Sequence, residues 1–205
     1  MGVYGDVILP RLCHLSMRNR RLTPYRQRVI GAAEGRVLEI GSGSGLNLPY
    51  YKNTVSEILA IEPAPQLVAM AERQARAASK PVTFVQASAE AIPLDSMSFD
   101  TVVTTWTLCT IPQASKALQE MRRVLRPHGR LLFVEHGRAP DPRVRRWQDR
   151  LTPVWRRVSG GCHLNREIDA LITAAGFDIE ELTTGYMPGP KVMTFMYEGS
   201  ARPRK

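Results

Sequence analysis

Val37-Leu38-Glu39-Ile40-Gly41-Ser42-Gly43-Ser44-Gly45 runs a short apolar stretch directly into three alternating glycines. A continuous apolar run of this length, closed by turn residues, is the pattern of a strand buried on both faces of a parallel sheet. Glycines directly after it let the backbone bend sharply and come close to a ligand. The turn is not the dinucleotide fingerprint, which needs Gly or Ala where Leu46 stands. Pyrophosphate sites present a bare helix N-terminus to negative charge. Glu39, just ahead of the glycines, instead suits an electropositive ligand and disfavours a phosphate.

Outward from this turn, strands and helices alternate. Ile58-Leu59-Ala60-Ile61 reads as a second strand and Gln66–Ala78 as an alanine-rich helix. Val82–Val85 is a third strand, and the β-branched run within Phe99–Thr105 a fourth. Residues 113–125 carry apolar side chains at helical spacing, Pro127-His128-Gly129 reads as a turn, and Leu131–Val134 as a fifth strand. Such alternation predicts an α/β fold built on a doubly wound, mostly parallel sheet. Helices are expected over 142–158 and 166–175. Two strands near 178–183 and 191–198 should form an antiparallel hairpin at the sheet edge. Ahead of the core, 1–33 reads as a basic helical segment, with Pro24 in the first turn of a helix. No linker divides the chain, which reads as one domain: the N-terminal segment 1–33, a cofactor-binding core 36–135, a helical acceptor-side cover 140–175 and the hairpin 178–198.

The 205 residues are 43% hydrophobic, enough for one sizeable core, and carry a net charge of +9. Three widely spaced cysteines, Cys13, Cys109 and Cys162, argue against a disulfide framework, and no pair has the spacing of metal ligands, so no metal site is expected. No apolar run reaches the roughly 18–20 residues of a membrane span. The N-terminal Val7-Ile8-Leu9 patch lacks a cleavage site, and Asp6 stands where myristoylation after Gly2 needs Ser or Thr. A reducing cytoplasm is the expected compartment. Arginines gather at Arg11–Arg28 and Arg143–Arg157. They read as solvated helical faces or as peripheral contacts with an anionic membrane. No nucleic-acid motif accompanies them.

Glu62 ends the second strand, 21 positions after Gly41, where a carboxylate can accept both hydroxyls of a ribose. With Glu39 and the glycines, this register resembles the class I S-adenosylmethionine-dependent methyltransferases of the type 11 group over about residues 36–135. Ile61-Glu62-Pro63 resembles that group's acidic second motif, Gln86–Pro93 its third, Ser98-Phe99-Asp100 its fourth, and Leu125-Arg126-Pro127-His128-Gly129 its R-P-G-G turn, with His128 departing from it. The resemblance implies a Rossmann-like seven-stranded sheet with S-adenosyl-L-methionine as cofactor. It implies a cofactor site drawn from Glu39, Gly41, Ser42, Gly43, Asn47, Glu62, Pro63, Ser88, Ala89, Glu90 and Thr105, with Ala89 and Glu90 at the adenine edge.

The acceptor should then lie over the fourth and fifth strands, beside Thr105–Thr110 and Glu135-His136. A thiol acceptor needs only modest help to ionise. His136 is the candidate catalytic base, with a ring merely bonded to Glu135 or the backbone as the plain alternative. Thr107-Leu108-Cys109-Thr110, Val134-Glu135-His136, Leu151–Trp155 and Gly161–Glu167 resemble the alkyl thiol methyltransferases, whose N-terminal hydrophobic anchor has no counterpart in residues 1–33. Trp147 and Trp155 are candidates to wall an apolar acceptor pocket. The resemblance thus implies a small lipophilic acceptor, an alkyl thiol first. A quinone carbon or a phospholipid amine is the alternative. Outside this class stand an NAD-dependent oxidoreductase, which Leu46 disfavours, and a non-catalytic cofactor-binding protein.

Overall fold

A computed structural model describes residues 4–76 and 80–204, apart from the side chain of Asp6. The remark on Gly2, the first three residues of the N-terminal segment and the expected helical end at Ala77-Ala78 lie outside the described residues. Seven strands form one sheet: β1 Gly35–Ile40, β2 Val55–Ile61, β3 Val82–Val85, β4 Phe99–Thr105, β5 Leu125–His136, β6 Phe177–Tyr186 and β7 Phe195–Pro203. Their order is β3-β2-β1-β4-β5-β7-β6, and only β7 runs against its neighbours. The sheet is the expected doubly wound α/β type with its antiparallel hairpin, β6–β7.

Alternation along each strand divides the core between two faces. Leu38, Ile40, Leu59, Val102, Leu131 and Phe133 pack with helix α4 (Ala114–Val124) and helix α6 (Ile168–Ala174) on one face. Val37, Ile58, Val103, Leu132 and Val134 pack on the other, beneath Val29 and Ile30 at the end of helix α2 (Thr23–Val29). Each such side chain contributes about 1.5–3 kcal/mol by leaving water. Burial on both faces is why the strands read as unbroken apolar runs.

Helix α1 spans Leu9–Met17, helix α3 Pro65–Ala75 and helix α5 Pro142–Val158. Asp141 caps α5 by accepting from the N–H groups of Arg143 and Val144. The glycine turn leads into bends and a short 3₁₀ turn, Leu48–Tyr50. One local expectation changes. Arg126–Gly129, expected as a turn, belongs to β5. Pairing with β4 passes from Phe99–Leu125 to Thr101–Arg130, so the segment bulges out of the ladder instead of breaking it.

The register aligns the strand ends. Ile40 pairs with Ile61 and Thr104, and Ile61 with Val85. The loops after β1, β2, β4 and β5 therefore gather at one end of the sheet.

Candidate active site

The glycine turn is held in place by its own chemistry. Gly41 and Gly43 have φ of +68° and +54°, a region that L side chains rarely enter. A Cβ on Gly41 would lie 2.3 Å from Thr107 Cγ2, so this glycine permits the close approach of the β1 and β4 loops. A Cβ on Gly43 would meet nothing within 4 Å, which makes Gly43 the open side of the turn. Ser42 is buried, and its Oγ has no partner among the described residues.

Behind the turn lies a buried polar network. Glu39 is 1% exposed, with Oε1 accepting from Asn47 Nδ2 (2.7 Å) and Oε2 from the Tyr51 hydroxyl (2.9 Å). Asn47 Nδ2 also donates to Thr105 Oγ1 (2.9 Å), and Asn47 Oδ1 accepts from Arg26 Nε (2.9 Å). Burial pushes the Glu39 carboxyl up to about 7, outweighing those two donors and the Arg26 charge. Glu39, Asn47 and Thr105 thus stand together, with their polar atoms engaged by one another. They fix the rear of the turn, and Ser42 and Gly43 form its front.

Glu62 is buried at the end of β2. Its Oε2 accepts from the Gly43 N–H and its Oε1 from the Ala64 N–H, both at 3.0 Å. Burial raises its pKa, with the two N–H groups pulling the other way. A carboxylate has about four acceptor sites, so two remain for a ligand. Pro63 and Ser88 are exposed and Ala89 is buried. The Glu90 carboxylate accepts from the Gln113 N–H (2.7 Å) where α4 begins, which ties this side chain to α4 and leaves its other acceptor sites unused.

At the neighbouring strand ends, Glu135 is fully buried and its Oε1 accepts from Thr104 Oγ1 (2.9 Å) and the N–H groups of Thr107 (3.0 Å) and Leu108 (3.1 Å). This carboxylate organises the loop after β4, which enters through Trp106 at φ +51°. His136 bonds neither to Glu135 nor to backbone. Its Nε2 meets Cys162 Sγ at 3.2 Å, and its Nδ1 is buried without a partner. Cys109, packed against Cys162, and burial hold the Cys162 thiol well above the ordinary range. Trp147 is 55% exposed, with the Arg150 guanidinium 5.8 Å from its ring centroid, whereas Trp155 is half-buried.

Three participants were not legible in the sequence. Arg26 sits in a segment read as solvated or lipid-facing, yet it is 4% exposed, its guanidinium 5.0 Å from the Trp106 ring centroid. His14 Nδ1 lies 2.7 Å from Ser44 Oγ, so α1 touches the glycine turn. Tyr51 carried no motif at all. The expectation of no metal site came from spacing along the chain, which cannot register the convergence of Cys109, His136 and Cys162.

The front of the turn fits S-adenosylmethionine. The orphaned Ser42 Oγ, the open face at Gly43 and the spare acceptor sites of the Glu62 carboxylate suit a hydroxyl-rich, cationic ligand. The fold and this site define a class I methyltransferase. In agreement, the methyltransferase-domain family matches residues 38–133. Thiol S-methyltransferase TMT1B of Homo sapiens is 36% identical over 174 residues, 80% of this chain and 70% of that protein. TMT1B of Rattus norvegicus is 34% identical over 77% of this chain, which spans 65% of that relative's length. A crystal structure of a SAM-dependent methyltransferase from Aquifex aeolicus superposes with a TM-score of 0.67 at 17% identity, over 94% of this chain and 97% of that one. The chain belongs to the S-adenosylmethionine-dependent methyltransferases of the type 11 group.

Proposed function

We propose that this protein transfers a methyl group to the sulfur of a small lipophilic alkyl thiol. The observation that carries the reading is its similarity, over most of the chain, to thiol S-methyltransferases. Bound S-adenosylmethionine supplies the methyl group on a sulfonium. Ser42, Gly43 and Glu62 would hold the cofactor at the front of the turn. Glu39, Asn47 and Thr105 keep the turn in shape, and Pro63, Ser88, Ala89 and Glu90 border the adenine side through their backbone and packing. The acceptor lies beyond β4 and β5, where His136 assists the loss of its proton. In-line displacement depends on orientation above all. A dry pocket favours it further, because opposite charges vanish as a thiolate meets a sulfonium.

Labelled cofactor offered with an alkyl thiol, a demethylated quinone and phosphatidylethanolamine tests the acceptor. Turnover of the thiol is expected, and turnover only of the quinone or the phospholipid would overturn this reading. Glu62→Ala should weaken adenosylhomocysteine binding by more than about tenfold, since a charged hydrogen-bonding partner contributes roughly 1.5–3 kcal/mol. His136→Ala should lower turnover and leave that affinity nearly unchanged.

Among the described residues no helix is long and apolar enough to cross a membrane. We further place the protein in the cytoplasm, peripheral to an anionic membrane. Leu12 and Leu15 on α1 and Trp147, Val154 and Val158 on α5 are exposed, as are Arg11, Arg18, Arg146, Arg150 and Arg157 in or next to the same two helices. The two helices adjoin, for the Tyr4 hydroxyl donates to the Val158 carbonyl and Leu9 packs against Gly160. Exposed apolar side chains together with exposed arginines are the chemistry of an interfacial contact.

A further inference from the structure

Cys109, His136 and Cys162 come from three separate segments: the loop after β4, the end of β5 and the loop after α5. Their ligand atoms all lie within 4.8 Å of one another. We propose that they bind a Zn²⁺ ion through two thiolates and one imidazole, leaving a fourth position for the acceptor thiolate. The ion site stands on these three residues alone, whereas the occupant of its fourth position rests on the thiol reading above.

Tetrahedral zinc, with Zn–S about 2.3 Å and Zn–N about 2.0–2.1 Å, separates its ligands by roughly 3.5–3.8 Å. His136 Nε2 and Cys162 Sγ at 3.2 Å need to part slightly, and the remaining separations need to close by about 1 Å at most. The cluster is also built, not accidental. The His163 N–H donates to the Cys109 carbonyl (2.8 Å), docking the Cys162 loop onto the Cys109 loop. Arg166 donates to the carbonyls of Leu108 and Pro112, closing the same junction. Glu135 holds the N–H groups of Thr107 and Leu108 from the other side. Gly160 and Gly161, with φ of +66° and +95°, supply the turn that brings Cys162 back from α5.

Two thiols and an imidazole select zinc over hard cations, and three protein ligands with one open position are the arrangement of zinc sites that do chemistry. Binding displaces the Cys109 and Cys162 protons to solvent. An entering alkyl thiol loses its proton to water as its sulfur joins the ion, since a metal-bound thiol is deprotonated. Its sulfur then forms the bond to the methyl carbon while the carbon–sulfonium bond breaks, the electron pair going to the departing sulfur. His136 in this arrangement aids ionisation as a ligand through Nε2.

Elemental analysis of the full chain, purified without chelator, should find about one Zn²⁺ per molecule. Cys162→Ser and His136→Ala, each shown to be folded by adenosylhomocysteine calorimetry, should bind zinc more than about tenfold more weakly, since loss even of an outer-shell partner costs that much. Cobalt in place of zinc in the unaltered chain should give a thiolate-to-metal charge-transfer band, which keeps the test open if a variant fails to fold. Absence of both zinc and that band overturns the site, as does full zinc retention in Cys162→Ser or a Cys109–Cys162 disulfide in the fresh protein. Adding an alkyl thiol should shift the cobalt spectrum. An unmoved spectrum overturns the fourth-position assignment and leaves the ion site standing. Undiminished thiol turnover in zinc-free protein overturns the ion's role and leaves the thiol reading standing.

Discussion

At the scale of single residues, two neighbouring glycines do different work. Gly41→Ala adds a Cβ 2.3 Å from Thr107 at positive φ, whereas Gly43→Ala adds one in open space. The positive φ costs each about 1–2 kcal/mol. Thermal unfolding should therefore show Gly41→Ala much the less stable. Calorimetry should show Gly43→Ala losing cofactor affinity out of proportion to its small loss of stability. Glu39 makes a pH-dependent prediction. Its folded pKa, about 7, lies above the ordinary value of 4.5, so the folded state holds a proton that the unfolded state releases. The stability this confers is complete below pH 4.5 and is lost as the pH rises through about 7. Relative to Glu39→Gln, the cofactor-free protein should lose roughly 3 kcal/mol across that window, measured by denaturant midpoints at a series of pH values. A parallel pH dependence in the two proteins would contradict the burial argument.

At the scale of elements, the N-terminal helices touch the glycine turn and its rear network. α1 reaches the glycine turn through His14 and Ser44, and α2 reaches it through Arg26 and Asn47. A buried guanidinium with such partners is costly to replace, because Asn47 Oδ1 loses its donor. Arg26→Met should lower stability by about 2–4 kcal/mol, with an unchanged denaturant slope, and should weaken adenosylhomocysteine binding. Unchanged cofactor affinity would mean that α2 covers the core without shaping the turn. The strands themselves were readable as elements because burial on both faces leaves apolar runs. The bulge at Arg126–Gly129 was not, because Pro and Gly mark turns and bulges alike.

At the scale of the whole molecule, the arginines behind the charge of +9 have unlike environments. Arg26 is buried, while Arg11, Arg18, Arg146, Arg150 and Arg157 are exposed, as are apolar side chains on α1 and α5, the surface proposed above to meet an anionic membrane. Arginines at an anionic surface gain roughly 1 kcal/mol each. Co-sedimentation should thus show binding to phosphatidylserine-containing vesicles and little to pure phosphatidylcholine, weakening steeply with salt. Leu15→Asp together with Val154→Asp should abolish it while leaving cofactor affinity intact. Equal binding to neutral vesicles would refute the electrostatic part.

The sequence by itself determined the order of strands and helices and the class of cofactor, because both depend on local patterns: apolar runs, a glycine turn, an acid at a set distance. Glu39, Gly41 and Glu62 were singled out on that ground, and the fold places all three at or directly behind the glycine turn. What tertiary structure decided is everything that depends on side chains meeting across the sheet. It sealed Glu39 behind the turn, tied Glu90 to the start of α4 and brought His14 and Arg26 against the turn and its rear network. It also gathered Cys109, His136 and Cys162 from two loops and a strand end, 26 or more residues apart along the chain. Spacing along a chain carries no trace of such meetings, because they are set by strand order and loop docking.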